Sequence, residues 1–258
     1  MKELNGRELA GYVKERQARQ VRQLRAKKIF PKLAIFYDND SPVIAKYMSL
    51  KQAYGDDIRI DVEVIKISKD DAREKLQAAA DDANVTGIIV QLPLAECDMS
   101  ILDLIPLNKD VDGLRGQSDT ATAMAIHWLL TGYGIDLEHK KLAIVGHGKL
   151  VGAPLEKMWR ESNYDVTVFD KGDDLNLLPD YDVIVTATGV PGLIKSQMIK
   201  YGGVIVDAGT ASEGGVIKGD LEDAARERDD LTLTPKIGGV GPLTVAMLFD
   251  NVIRAANK

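Results

Sequence analysis

The chain has 258 residues, 45% of them hydrophobic and 28% charged, an ordinary globular composition at a size where one core stops growing and two domains are expected. Thirty-three basic residues against 39 acidic ones, with the signs mixed along the chain, exclude the basic patch of a nucleic-acid binder. Cys97 is the single cysteine, which rules out an intrachain disulfide and a multi-thiolate metal site, and no signal-type apolar core or apolar run of about 18 residues is present, so a soluble, cytoplasmic protein is expected.

Residues 5 to 27 are predicted to be helical, with Leu9, Val13, Val21 and Leu24 as apolar positions among charges and Asn5 as the cap. Leu33 to Tyr37 is a short buried strand. D-N-D-S-P then breaks the chain, and Val43 to Tyr54 supports a helix ending at Gly55. Ile58 to Ile67 alternates as I-R-I-D-V-E-V-I-K-I, the pattern of a half-buried strand. Ser68 caps a helix through Ala83, and Gly87 to Val90 is a buried strand running into Gln91. Alternating strand and helix imply a parallel α/β layer, in which ligands collect beyond the carboxyl ends of the strands. Asp38 to Asp40, Gln91 to Leu94 and Asp110 to Gly113 therefore stand at candidate ligand positions.

Thr120 to Leu130 is predicted as the helix leading into a second domain. There the strands are 142–145, 165–169, 182–187, 203–207 and 231–234, with a helix over 151–162 and a final apolar helix from Gly241. The segment Lys141 to Trp159, K-L-A-I-V-G-H-G-K-L-V-G-A-P-L-E-K-M-W, reads as strand, glycine turn and helix start. Such a turn lets backbone approach a pyrophosphate, whose charge meets the free N–H groups of the helix. The third glycine, Gly152, falls one residue later than in G-x-G-x-x-G, so an ordinary tight turn fits the same residues. Asp170, at the tip of the next strand, can accept hydrogen bonds from a ribose 2′-OH and would repel a 2′-phosphate; a solvated loop acid is the alternative.

Five stretches stand in one order: Y-M-S-L-K from Tyr47 to Lys51, V-Q-L-P-L from Val90, K-D-V-D-G from Lys109, V-G-A-P from Val151, and G-G-V-G-P-L-T from Gly238. Together they resemble the methylenetetrahydrofolate dehydrogenase/cyclohydrolase family over nearly the whole chain. The resemblance implies an α/β protein of two α/β domains facing a cleft: residues 1–120 with 242–258 holding folate, and residues 121–241 forming a Rossmann-like NAD(P)-binding domain. It implies oxidation of 5,10-methylenetetrahydrofolate to the methenyl form and hydrolysis of that to 10-formyltetrahydrofolate, in a homodimer. By the same likeness Lys51, Gln91 and Asp112 are the catalytic residues. Lys51 would be the general base or proton shuttle, Gln91 would orient it, and Asp112 would pair with the pterin edge through two parallel N–H donors. Tyr47 would stack on the folate ring, and Gly238, Gly239, Gly241 and Pro242 would line its pocket. Cofactor contacts are implied for Gly146, His147, Gly148, Val151 and Gly152 in the turn, and for Asp170, Thr188, Gly189 and Thr210 at later strand ends.

The residues alone leave bland alternatives open: Tyr47 and Lys51 as an amphipathic surface pair, Gln91 in a strand-end turn, and Asp110 and Asp112 as turn residues. Several positions depart from the family. His147 and Gly148 stand where many NADP-using members carry arginine and serine, which with Asp170 favours NAD over NADP. Ala123 and Ala125 replace the Pro and Gly of T-P-x-G, Ile237 precedes G-G-V-G-P in place of proline, and V-D-A-G-T replaces V-D-V-G. The three histidines lack metal-ligand spacing, so no metal is expected, and Cys97 has no histidine partner. The competing functions are a shikimate-type dehydrogenase and a folate- or dinucleotide-binding protein that has lost turnover.

Overall fold

The computed structural model describes residues 2–116, 119–209, 211–213 and 216–257. In chain order the elements are β1 (Lys2–Glu3), α1 (Gly6–Ala26), β2 (Lys32–Tyr37), α2 (Pro42–Ile58), β3 (Asp61–Lys66), α3 (Ala72–Asp81), β4 (Gly87–Val90), α4 (Ala121–Gly132) and β5 (Lys141–Val145). There follow α5 (Gly152–Glu161), β6 (Asp165–Phe169), β7 (Val183–Thr186), β8 (Val204–Asp207), β9 (Ala211–Glu213), β10 (Val216–Lys218), α6 (Asp223–Arg226), β11 (Thr232–Leu233) and α7 (Val240–Ala256). Two compact units result: Met1–Ala10 with Thr122–Thr244, and Gly11–Ala121 with Val245–Lys258. Among the described residues no helix is long and apolar enough to cross a membrane.

In the unit of residues 11–121 and 245–258, the sheet is parallel in the order β3-β2-β4. Leu33 to Phe36 in central β2 are wholly buried, which is why the sequence there is apolar without alternation. At the edge, β3 exposes Asp61, Glu63 and Lys66 and alternates as expected, but it begins at Asp61 and not at Ile58. The reason lies in Gly55, which does not stop α2. It allows close packing, because a Cβ there would collide with the Val62 side chain and lie 2.8 Å from the Ile60 carbonyl oxygen. The helix ends three residues later, where Arg59 takes a left-handed conformation (φ 64°). The next helix starts at Ala72, after a turn over 69–71 in which the Ser68 N–H bonds Asp71 Oδ1 (2.7 Å) and the Ser68 carbonyl accepts the Ala72 N–H (3.0 Å). Asn5 does cap α1, its Oδ1 accepting from the Arg7 and Glu8 N–H groups at 3.1 and 3.3 Å.

In the other unit a six-stranded sheet is parallel throughout in the order β1-β11-β8-β7-β5-β6, and β9 and β10 pair antiparallel apart from it. The sequence division assigned residues 1–120 to the first domain, but the first ten belong to this unit. β1 pairs with β11, with Lys2 N–H to Leu231 O at 3.0 Å and Leu4 N–H to Leu233 O at 2.8 Å, and Leu4 is wholly buried. A two-residue strand has no period to read, so this edge was invisible in the sequence. From β5 the chain runs to β6 on one side and then returns to β7 on the other. The carboxyl ends of β5 and β7 thus flank the point where strand order reverses, the ligand position of doubly wound sheets.

Candidate active site

In the three-stranded unit, α2 presents Lys51 toward the end of β4. The Lys51 Nζ donates to Gln91 Oε1 at 2.7 Å, and the Gln91 amide in turn donates to the Leu92 carbonyl at 2.9 Å, which fixes which end of the amide faces the lysine. Gln91 itself is anchored by its backbone N–H to Phe36 O of β2 (2.7 Å). Burial pushes the Lys51 ammonium below the ordinary lysine range, with the Asp112 carboxylate pulling the other way. Burial likewise raises Asp112; Lys51 opposes that and Asp110 adds to it. The three residues predicted as catalytic therefore form one electrostatic group, in which a lysine is biased toward its neutral, proton-accepting form. Tyr47 is half-buried one turn before Lys51 on α2.

The neighbouring acids divide by role. Asp110 is buried and accepts from the Gly113 and Arg115 N–H groups at 3.0 and 2.8 Å, so it shapes the D-V-D-G turn that carries Asp112. Lys109 closes the end of α3, donating to the carbonyls of Ala79, Ala80 and Asp82 at 3.2, 2.8 and 2.7 Å. Asp38, at the end of β2, accepts three N–H groups, from Ala95, Glu96 and Cys97, at 2.7 to 2.8 Å, and the Asn39 amide reaches Pro93 O at 3.2 Å. These two residues tie down the loop after Gln91. The Cys97 thiol is pushed up to about 11 by burial and by the Asp38 carboxylate, so it is no nucleophile at neutral pH.

In the six-stranded unit the turn after β5 is tight for a physical reason. A Cβ on Gly152 would overlap the carbonyl oxygen of Gly146, and one on Gly146 (φ 96°) would lie 2.9 Å from Ala187 O and 3.0 Å from Thr188 Cγ2. Gly148 differs: its Cβ would meet nothing within 4 Å and its φ is ordinary, so the protein's own packing does not demand a glycine there. The α5 N-terminus stands behind this turn, an arrangement that lets backbone approach an anion. Val151 precedes the helix, and its N–H bonds Gly148 O at 3.3 Å. Asp170 is exposed at the tip of β6, next to Phe169, whose carbonyl accepts the Gly146 N–H at 2.8 Å. Thr188 and Gly189 (φ 69°) follow β7, so turn, acid and loop gather at the strand reversal. Thr210 lies outside the described residues. The His147 Nε2 sits 2.6 Å from Glu156 Oε2, and the Glu156 carboxyl is held low first by its bond from Arg160. No spacing rule flagged Glu156.

The G-G-V-G-P loop is buttressed within the same unit. Gly6 packs so closely that a Cβ would overlap Gly239 O, the Arg7 N–H bonds Gly238 O at 3.0 Å, and Gly238 has φ 92°. Gly241 has open space where a Cβ would go, and it opens α7 with Pro242.

Comparison with known proteins adds the family. Residues 4–112 match the sequence profile described as "Tetrahydrofolate dehydrogenase/cyclohydrolase, catalytic domain", and residues 120–258 match the corresponding "NAD(P)-binding domain". The chain belongs to the tetrahydrofolate dehydrogenase/cyclohydrolase family. A member from Staphylococcus haemolyticus, named bifunctional protein FolD, is 32% identical over 98% of this chain and 95% of its own. The crystal structure of bifunctional FolD from Campylobacter jejuni superposes with a TM-score of 0.92 at 31% identity, covering 100% of this chain and 99% of that one. A Trypanosoma brucei member, solved with NADP and an inhibitor, gives 0.89 at 25% identity over 98% and 96%. Shikimate dehydrogenase of Thermus thermophilus is similar in fold alone, with 14% identity, a TM-score of 0.55 and coverage of 88% and 98%. Lys51, Gln91 and Asp112 all lie within the catalytic-domain match.

Proposed function

We propose that this family member oxidises 5,10-methylenetetrahydrofolate to the methenyl form and hydrolyses that to 10-formyltetrahydrofolate, with Lys51 as the proton acceptor of the second step. The observation that carries the proposal is the 2.7 Å bond from Lys51 Nζ to Gln91 Oε1, beside Asp112, in a setting that lowers the affinity of the lysine for its proton. Hydride loss leaves an amidinium cation at the one-carbon unit. Water adds to that carbon and gives up a proton to Lys51, and the bond to one ring nitrogen breaks as that nitrogen takes a proton. Gln91 holds Lys51 in the orientation to receive it. Asp112 accepts N–H donors of the pterin edge, and Tyr47 covers the ring. The nicotinamide cofactor, when bound, supplies the hydride acceptor. Gly146, Gly148, Val151 and Gly152 hold its phosphates, and Thr188 and Gly189 meet it at the end of β7.

NAD is the favoured cofactor. Asp170 at the tip of β6 supports this, being suited to a ribose 2′-OH and repelling a 2′-phosphate, as does His147-Gly148 in place of the arginine and serine of many NADP-using members. Homodimer formation rests on the family resemblance and is decided by sedimentation equilibrium. The decisive assay is oxidation of 5,10-methylenetetrahydrofolate with NAD and NADP in parallel, with methenyl hydrolysis followed separately. Turnover that prefers NAD supports the assignment; a preference for NADP removes the Asp170 argument; and binding without turnover removes the enzymatic one.

A further inference from the structure

Beneath the loop that follows β7 lies a buried acidic network that the chemistry above does not use. Asp220 has no solvent exposure. Its Oδ2 accepts the Thr186 hydroxyl, from the last residue of β7, and the Thr188 backbone N–H, each at 2.7 Å. Its Oδ1 is buried with no donor among the described residues, pressed against Gly209, where a Cβ would overlap it. Asp207, at the end of β8, ties Asp220 in place. Asp207 Oδ1 accepts the Gly209 and Asp220 N–H groups at 3.1 and 3.0 Å, and Oδ2 accepts the Leu221 N–H at 3.1 Å and Arg226 Nη2 at 2.5 Å. Arg226 in turn donates to Thr234 O at 3.0 Å. Gly219 is small for the same reason as Gly209, since a Cβ there would run into Asp207 Oδ2.

A buried carboxylate with an orphan oxygen is a costly way to close a loop. Its two accepted bonds are directed, however, at the segment that turns out of the sheet beside Gly146, because Thr188 Cγ2 bounds that glycine. Resting on the dinucleotide assignment above, we propose that Asp220 is a positioning residue for the cofactor: it locks the Thr186–Thr188 backbone so that Thr188 and Gly189 keep the geometry the dinucleotide requires, and Asp207 with Arg226 holds it there. The carboxylate is suited to this because one oxygen accepts two donors whose directions differ, and bonds to a charged acceptor are about twice as strong as neutral ones.

The test uses the full-length protein and isothermal titration with NAD and with NADP on Gly148→Val, Asp220→Asn and Thr186→Val. The dinucleotide KM, the folate KM and the rate of methenyl hydrolysis are measured in parallel. Asp220→Asn is expected to weaken dinucleotide binding about tenfold, the loss of charge assistance on two bonds, and Thr186→Val a few-fold. The loss should fall on the dinucleotide KM, with folate KM and hydrolysis unmoved; a general loosening of the fold would lower all of them together. Should Asp220→Asn fail to fold, Thr186→Val, which keeps the side-chain shape, carries the same test. If Gly148→Val weakens binding while Asp220→Asn and Thr186→Val bind as wild type, the positioning role is wrong and the dinucleotide assignment stands. If Gly148→Val also binds as wild type, the assignment of the turn falls, and the proposal with it.

Discussion

Lys51→Met removes the ammonium while keeping an unbranched side chain in the same space. The lysine makes a charge-assisted bond to Gln91 Oε1 at 2.7 Å, and losing one such bond costs about 1.5–3 kcal/mol. Burial already opposes its charge, which offsets part of that loss, while Asp112 is left without the ammonium that favours its ionised form. Fold stability is therefore expected to fall by no more than about 3 kcal/mol, the worth of the bond. Activity should separate cleanly from stability. Removing a positioned proton acceptor lowers the rate by roughly 10²–10⁴, about 2.7–5.5 kcal/mol in the barrier. The assay is the decay of methenyltetrahydrofolate absorbance, corrected for the uncatalysed rate, alongside urea denaturation and dinucleotide titration. Hydrolysis within tenfold of wild type in a folded Lys51→Met protein would refute the role of Lys51. A loss of stability above about 3 kcal/mol would refute the balance of bond and desolvation.

Asp112→Asn removes the charge that helps Lys51 keep its proton, so the lysine falls further and its acceptor form appears at lower pH. The rising limb of hydrolysis against pH should move toward acid, with weaker folate binding; movement toward alkali would contradict the coupling. Gly152→Ala, whose Cβ would overlap Gly146 O, should destabilise by roughly 3 kcal/mol or more in a denaturation curve, whereas Gly148→Val should leave stability within about 0.5 kcal/mol and weaken the dinucleotide; equal effects on stability would undo the distinction between the two glycines. Asp38→Ala frees three part-buried backbone N–H groups and should cost about 1–3 kcal/mol at pH 7. Burial pushes the Asp38 carboxyl up, but its three backbone bonds outweigh that and hold it below the usual carboxylate range, so its stabilisation is complete above that range and is lost as pH falls through the lowered value. The variant should thus converge with wild type only in acid below the ordinary carboxylate range, which denaturation at several pH values will show. Asp170→Ser should raise kcat/KM with NADP relative to NAD, read from parallel initial rates; an unchanged ratio would remove Asp170 from cofactor choice.

Much of this architecture was legible in the sequence, but unevenly. The buried strands β2, β4, β5, β7 and β8 stood out because burial on both faces of a parallel sheet demands continuous apolar runs. Lys51 and Tyr47 stood out only through the likeness of Y-M-S-L-K to the family, since their one-turn spacing also fits an amphipathic surface pair, whereas Asn5 was readable as a cap because that signal is local. Gly55 misled. A glycine in a helical pattern signals a stop when read alone, whereas here it makes room for Val62 and Ile60. Ser68 marked the approach to α3 but not its first residue, because a turn over 69–71 comes before Ala72. β1 and the hairpin β9–β10 carried no periodic signal in two or three residues.

What the sequence determined by itself were properties set by neighbours along the chain: the alternation of strands and helices, the glycine turn after β5, and the order of motifs that marks the family. Only the tertiary structure decided what depends on residues far apart in sequence. It brought Gln91 to within 2.7 Å of Lys51 across 40 residues, gave Asp110 to a turn and Asp112 to the lysine, and buried Asp220 under a loop that begins more than 30 residues earlier. Electrostatic interaction and desolvation act through space and depend on burial, and burial is a property of the folded chain, which no window along the sequence contains.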